Sequence, residues 1–129
     1  MRYPRMCFYA ILVCLLCCFE TIVGQETIDL KAFADSVRKA AGKPDFLPLG
    51  TRFLELAKER KDTTYISDAY AAIAGHYYDL GDTDSLRLVT YEYMDWAERC
   101  HRDTDRYEAW RQYIQRMTEK GMQEEAMRE

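Results

Sequence analysis

Three stretches of the chain hold residue types and spacings that could do chemistry. Glu98-Arg99-Cys100-His101 puts a carboxylate three residues before an imidazole, the spacing at which one helix supplies two ligands to a di-iron centre. Such a centre needs a second Glu-x-x-His and two further carboxylates on facing helices. The only other histidine, His76, has Ile73 three residues before it. Cys100 and His101 are neighbours, so on a helix they point about 100° apart and cannot serve as nucleophile and base. Asp82-Thr83-Asp84 and Asp103-Thr104-Asp105 open like calcium loops. Neither supplies the glycine of the sharp turn, and Tyr93 stands where the first would need its bidentate glutamate. Both read as helix caps. No phosphate-cradling glycine loop, nucleophile elbow or apolar carboxylate pair occurs. The expectation is a protein without catalytic, metal or cofactor residues, and not an enzyme.

All but Asp103-Thr104-Asp105, which precedes the next helix, sit on a helical pair spanning roughly residues 65–101. Its first helix carries Tyr70, Ile73, Ala74 and Tyr77, its second Leu86, Val89, Tyr93, Trp96, Ala97 and Cys100, and Leu80-Gly81-Asp82 makes the turn. Both sets follow the i, i+3, i+4, i+7 spacing of one helix face. Cys100 is therefore expected to be a small buried hydrophobe. The pattern recurs at steps of forty: Leu30, Phe33, Ala34 and Val37 before the first helix, Trp110, Tyr113, Ile114 and Met117 after it. Phe46, Leu49, Phe53, Leu56 and Ala57 precede the second helix in the same way. Gly42, Gly81 and Gly121 close the first helices, Gly42 one position off the period. Thr27 is a cap candidate for a helix over 28–41, and Gly42-Lys43-Pro44-Asp45 breaks it, because proline cannot continue a helix. Asp62, Asp82 and Asp103 are the later cap candidates. No stretch alternates with the period of two that marks a strand. The predicted fold is all-α, a helix-turn-helix solenoid with a period of about 40 residues in which each pair buries its face against the next.

The first 24 residues are set apart from that fold. Arg2 and Arg5 precede an uncharged run, Met6 to Phe19, and Gly24 offers a small residue for cleavage before Gln25. This order is that of a secretory signal peptide. A retained anchor is the alternative, although fourteen uncharged residues fall short of the roughly 20 that span a bilayer. A lipid-modified Cys17 or Cys18 is a third reading, disfavoured by the absence of a small residue just before either. The expected domains are 1–24, signal peptide, and 25–129, helical repeat domain with its third repeat incomplete. Cleavage would remove four of the five cysteines and change the net charge from −4 to −5. That mildly acidic balance argues against nucleic acid, which selects a basic stripe. With Cys100 alone, stability must come from packing rather than a disulfide.

Tyr70-x-x-Ile73-Ala74-x-x-Tyr77 before Gly81-Asp82, and Trp110-x-x-Tyr113-Ile114-x-x-Met117 before Gly121, resemble the first helices of tetratricopeptide-type repeats. Three departures stand out: a period near forty rather than about 34, no proline closing the second helix, and Leu86 and Thr90 in place of Ala-x-x-x-Phe. With the export signal and the abundant tyrosine, the chain also resembles the periplasmic sensor regions of some Bacteroidetes histidine kinases, by analogy of fold. The resemblance implies a groove lined by the first helices: Lys31, Asp35 and Arg38, then Asp68, Tyr78 and Asp79, then Glu108, Arg111 and Gln115. Tyr78, Tyr91 and the His76/Asp79 pair are expected to face away from the packing stripe. The implied function is a non-catalytic, exported, periplasmic or secreted interaction module for a protein or peptide, in the manner of a truncated two-component sensor segment. The alternative is a small helical structural protein that self-associates, through a C-terminal helix too short to cap the array. Neither reading involves nucleic acid, and the membrane enters only if the N-terminal segment is retained.

Overall fold

The structure, a computed structural model, describes residues 28–128; the proposed signal segment and its cleavage point lie outside them. The described residues form six helices and no strand: α1 (Leu30–Ala40), α2 (Phe46–Glu59), α3 (Thr63–Leu80), α4 (Thr83–Arg99), α5 (Asp103–Glu119) and α6 (Gln123–Ala126). The chain is therefore all-α over this range, as its periodicity required.

Three aspartates start helices by accepting a backbone N–H left unpaired in the first turn. Asp29 takes that of Lys31 at 3.0 Å, Asp62 that of Tyr65 at 3.1 Å and Asp82 that of Ser85 at 3.0 Å. Asp103 is not a fourth. The N-cap of α5 is Arg102, and Asp103 and Asp105 lie inside the first turn, where their charge complements the helix dipole. Arg102 bonds Asp105 instead.

The helix ends are more regular than their sequence. Lys61, Gly81, His101 and Gly121 all have left-handed backbone, with φ of 55°, 73°, 55° and 74°. They stand twenty residues apart. At each, the left-handed residue donates its N–H three residues back and the next residue donates five back: Lys61 to Lys58 and Asp62 to Ala57, His101 to Glu98 and Arg102 to Ala97, and likewise at Gly81 and Gly121. This double closure satisfies carbonyls that a helix end leaves open. Helix α1 closes differently, through Ala41 to Arg38 and Lys43 to Ala40, so Gly42 falls off the spacing. A side chain in left-handed backbone costs about 1–2 kcal/mol, partly offset by glycine's larger entropy loss on folding. Replacing His101 with glycine is thus expected to raise stability by about 0.5–1 kcal/mol, and Gly81→Ala to lower it by a similar amount. Urea midpoints at constant slope would measure both.

A link of five residues between α1 and α2, and links of two or three after that, turn each helix back on the one before. Each packs against its successor; α3 also touches α1 and α5, whereas α2 and α4 meet only through side chains. The odd-numbered helices so form one layer and α2 and α4 the other. Tyr70, Ile73 and Ala74 of α3, Leu86, Val89, Tyr93, Trp96 and Ala97 of α4, and Phe46, Phe53, Leu56 and Ala57 of α2 are buried, as their spacing predicts.

Two expectations fail here. Cys100 is exposed, because α4 ends at Arg99 and the turn at His101 carries the chain off the stripe. His76, expected to face outward, is buried with its ring 4.9 Å from that of Phe46. The C-terminal stripe is also better covered than a short last helix suggests. Tyr113 and Met117 of α5 are buried, as is Ala126 of α6. Trp110 and Ile114 are half-buried.

Candidate interaction surfaces

The nine residues expected to line a groove fall into two groups in the structure. Between α1 and α3, Arg38 pairs with Asp35 at 2.9 Å and reaches Asp68 at 3.8 Å. All three side chains are more than half exposed, so the cluster holds its geometry weakly and adds little stability. A cleft beneath it is lined by Ala34, Val37, Phe53, Ala71 and Ala72. Lys31 is exposed at the start of α1, its backbone N–H engaged by the Asp29 cap.

The second group lies between α3 and α5. The Tyr78 hydroxyl donates to Glu119 at 2.8 Å, and the Lys120 ammonium donates to the Tyr78 carbonyl at 2.8 Å while lying over its ring. Gln115 donates to Glu119 at 3.0 Å and accepts from Arg111 at 3.4 Å; Arg111 in turn holds Glu108, with 2.9 Å from its Nε. Asp79 lines the same cleft as Tyr78 and Gln115. Arg116, which the helix pattern does not single out, runs into this cleft with its guanidinium beside Gly75. Burial holds its pKa below the usual arginine value.

The hydrogen bonds of this layer set its response to acid. Arg111 and Gln112 hold the Glu108 carboxyl at about 2, below its ordinary value of 4.5. Gln115 and Tyr78 lower Glu119, and the Ser85 contacts lower Asp82. A carboxyl whose folded pKa lies below its unfolded one stabilises the fold above the unfolded value and loses that contribution as the pH falls through the folded one. The melting temperature is therefore expected to change little from pH 7 to about pH 5, then drop between about pH 5 and pH 2. Glu108→Gln should flatten the lower part of that drop in a pH series of thermal melts. These groups are solvent-exposed, so salt will weaken the effect.

A further cavity lies elsewhere, open to solvent on α4 and α5. It encloses about 550 Å³ and is lined by Tyr91, Met94, Asp103, Arg106, Tyr107 and Trp110. Tyr107 is 67% exposed, and Trp110 stacks on Tyr113 of its own helix at 5.6 Å. Arg106 reaches across to Glu98 at 3.6 Å on the rim. Aromatic and methionine side chains beside a polar rim are the composition of protein interfaces. Tyr91 stands out in the sequence as an aromatic off the packing stripe. Tyr107 gives the same signal one helix later, but nothing local shows that the two helices bring the pair together.

Among the described residues no three His, Cys, Asp or Glu side chains gather closely enough to hold a metal ion. No helix among them is long and apolar enough to cross a membrane. Compared with known proteins, the chain matches no family model, and no curated protein or solved structure is significantly similar to it.

Proposed function

We propose that this protein is a non-catalytic interaction module, a TPR-like array of helix pairs with a period of about forty residues, exported and acting on another protein in the periplasm. The observation that carries the reading is the contrast between the two kinds of surface. Polar and charged groups on the odd-helix layer bond one another at Arg38/Asp68, Tyr78/Glu119 and Glu108/Arg111. The aromatic cavity on α4 and α5 leaves large apolar side chains facing water, which costs free energy unless a partner covers them. The twenty-residue spacing of the left-handed closures supports the repeat: two closures make one pair, and two pairs stand forty apart. The exported character rests on the basic-apolar-small order of residues 1–24.

The test is site-specific photo-crosslinking in the native cell, with the crosslinker at Tyr107 in the aromatic cavity and, separately, at Arg111 on the odd-helix layer. A discrete protein adduct at either position supports the reading. Absence of adducts at both, in protein shown to be folded and expressed, overturns it. N-terminal sequencing of the recovered chain should begin at or near Gln25; a full-length chain would remove the exported part of the reading alone.

A further inference from the structure

Two charged groups in the cleft between α3 and α5 stand outside the bonding that ties the rest of it together. The Glu119 carboxylate is engaged through both oxygens, Oε2 by the Tyr78 hydroxyl at 2.8 Å and Oε1 by the Gln115 amide at 3.0 Å. Gln112 donates to Glu108 at 3.1 Å, and Lys120 to the Tyr78 carbonyl at 2.8 Å. That leaves the Arg116 guanidinium and the Asp79 carboxylate. Among the described residues, neither side chain makes a hydrogen bond or an ion pair, with the other or with a third group. The helices hold them apart. Arg116 reaches over from α5 and lies beside Gly75 of α3, while Asp79 stands one turn farther along α3. Each feels the other's charge without bonding it. Arg116 is half-buried, and a cation taken partly out of water without a partner is unfavourable.

The cleft that both groups line encloses about 330 Å³, at the lower end of the roughly 300–1,000 Å³ of small-molecule sites. We propose that it binds a free amino acid, whose carboxylate takes the forked N–H groups of Arg116 and whose ammonium takes the Asp79 carboxylate. A planar guanidinium matches a carboxylate in two parallel bonds. Charge selects the zwitterion. Arg116 and Lys120 balance Asp79 and Glu119 around the cleft. A simple anion would gain Arg116 but meet two carboxylates, and a simple cation would gain Asp79 but meet the guanidinium. A molecule with both charges a few bonds apart meets each group with its opposite. The inference needs only the packing of α5 on α3, so it stands or falls apart from the interaction-module reading.

Isothermal titration of the full chain with each of the standard L-amino acids is expected to show saturable binding for at least one. For that amino acid, acetylating the amine or converting the acid to its amide should each weaken binding about tenfold or more, the loss of a hydrogen bond between charged groups. Asp79→Asn, an exposed and isosteric change, should weaken the parent amino acid and close the gap to its N-acetyl derivative, which has no ammonium to lose. Arg116→Gln should close the gap to the amide in the same way. If Arg116→Gln does not fold, the Asp79→Asn comparison still decides. Three results overturn the proposal: no saturable heat from any amino acid, an N-acetyl derivative that binds as well as its parent, or an affinity that Asp79→Asn leaves unchanged. The second of these would make the cleft a site for anions. A protein adduct from crosslinking at Tyr107 with no amino-acid binding would remove this inference and leave the interaction-module reading in place.

Discussion

Replacing Tyr70 with alanine is expected to cost about 3–5 kcal/mol and to leave the chain largely unfolded at 37 °C. The ring is 1% exposed, and it lies between layers, which is why so much depends on it. It stacks on Tyr93 at 4.9 Å, neighbours Trp96 at 6.2 Å and carries the Lys58 ammonium 4.9 Å from its centroid. Removing it opens a cavity where three helices meet and where rigid aromatic neighbours cannot collapse into the space. Tyr70→Phe isolates the hydroxyl. Burial, with Glu92 adding to it, pushes that group's pKa above the usual tyrosine range, so it remains a neutral donor to the Glu92 carboxylate. Because Glu92 is more than half exposed, the phenylalanine variant should lose only about 0.5–1.5 kcal/mol. Urea denaturation of the two variants gives both numbers. A loss under about 1.5 kcal/mol for Tyr70→Ala would mean that the stacked aromatics repack, contrary to the expectation.

Phe46→Ala should be as costly, about 3–5 kcal/mol, but its effect should be concentrated in the N-terminal half. Phe46 is 1% exposed and opens α2. Helix α2 has weak local support: Asp45 makes no side-chain cap bond, and Pro48 and Gly50 lie in its first turns. Its position is set by packing. A Cβ at Gly50 would stand 3.0 Å from the Phe46 ring and 3.4 Å from Ile73, so the absence of a side chain there lets the ring fold under the helix. The other side of the ring meets His76 at 4.9 Å. Without Phe46, α2 loses its hold on α3, and α1 goes with it because α1 packs mainly on α2. Native-state hydrogen exchange should show protection falling across 30–59 more than across 83–119. Equal loss in the two regions would show that the chain unfolds as a single unit. Gly50→Val is a second route to the same result, since a branched side chain cannot fit against Phe46.

The seams between the layers are partly legible in the sequence. Spacing alone assigns Tyr70, Tyr93 and Trp96 to packing stripes, and they are buried. Spacing also places the groove residues on the first helices, but it cannot pair them. Arg38 with Asp68, and Tyr78 with Glu119, are contacts between residues 30 and 41 positions apart. No local rule selects one such partner over another. Arg116 escapes the helix pattern for the same reason, since the cleft it enters is shared with Gly75, Tyr78 and Asp79 of another helix.

What the sequence determined by itself is what local physics governs: the 3.6-residue stripes, the aspartate caps at Asp62 and Asp82, and the glycine closures at Gly81 and Gly121. Each depends on residues within about one turn of one another. Tertiary structure decided the rest. Lys61 and His101 take the left-handed closure without glycine, because the packing of the next helix repays the strain. That unmarked closure at His101 puts Cys100 into solvent when its place on the stripe argued for burial. Phe46, thirty residues away in sequence, draws His76 inside. The aromatic cavity follows from the approach of α4 and α5, which brings Tyr91 and Tyr107 together across a turn whose geometry neither residue specifies. Burial depends on what arrives from elsewhere in the chain, and that is a property of the packed helices rather than of any one stretch of them.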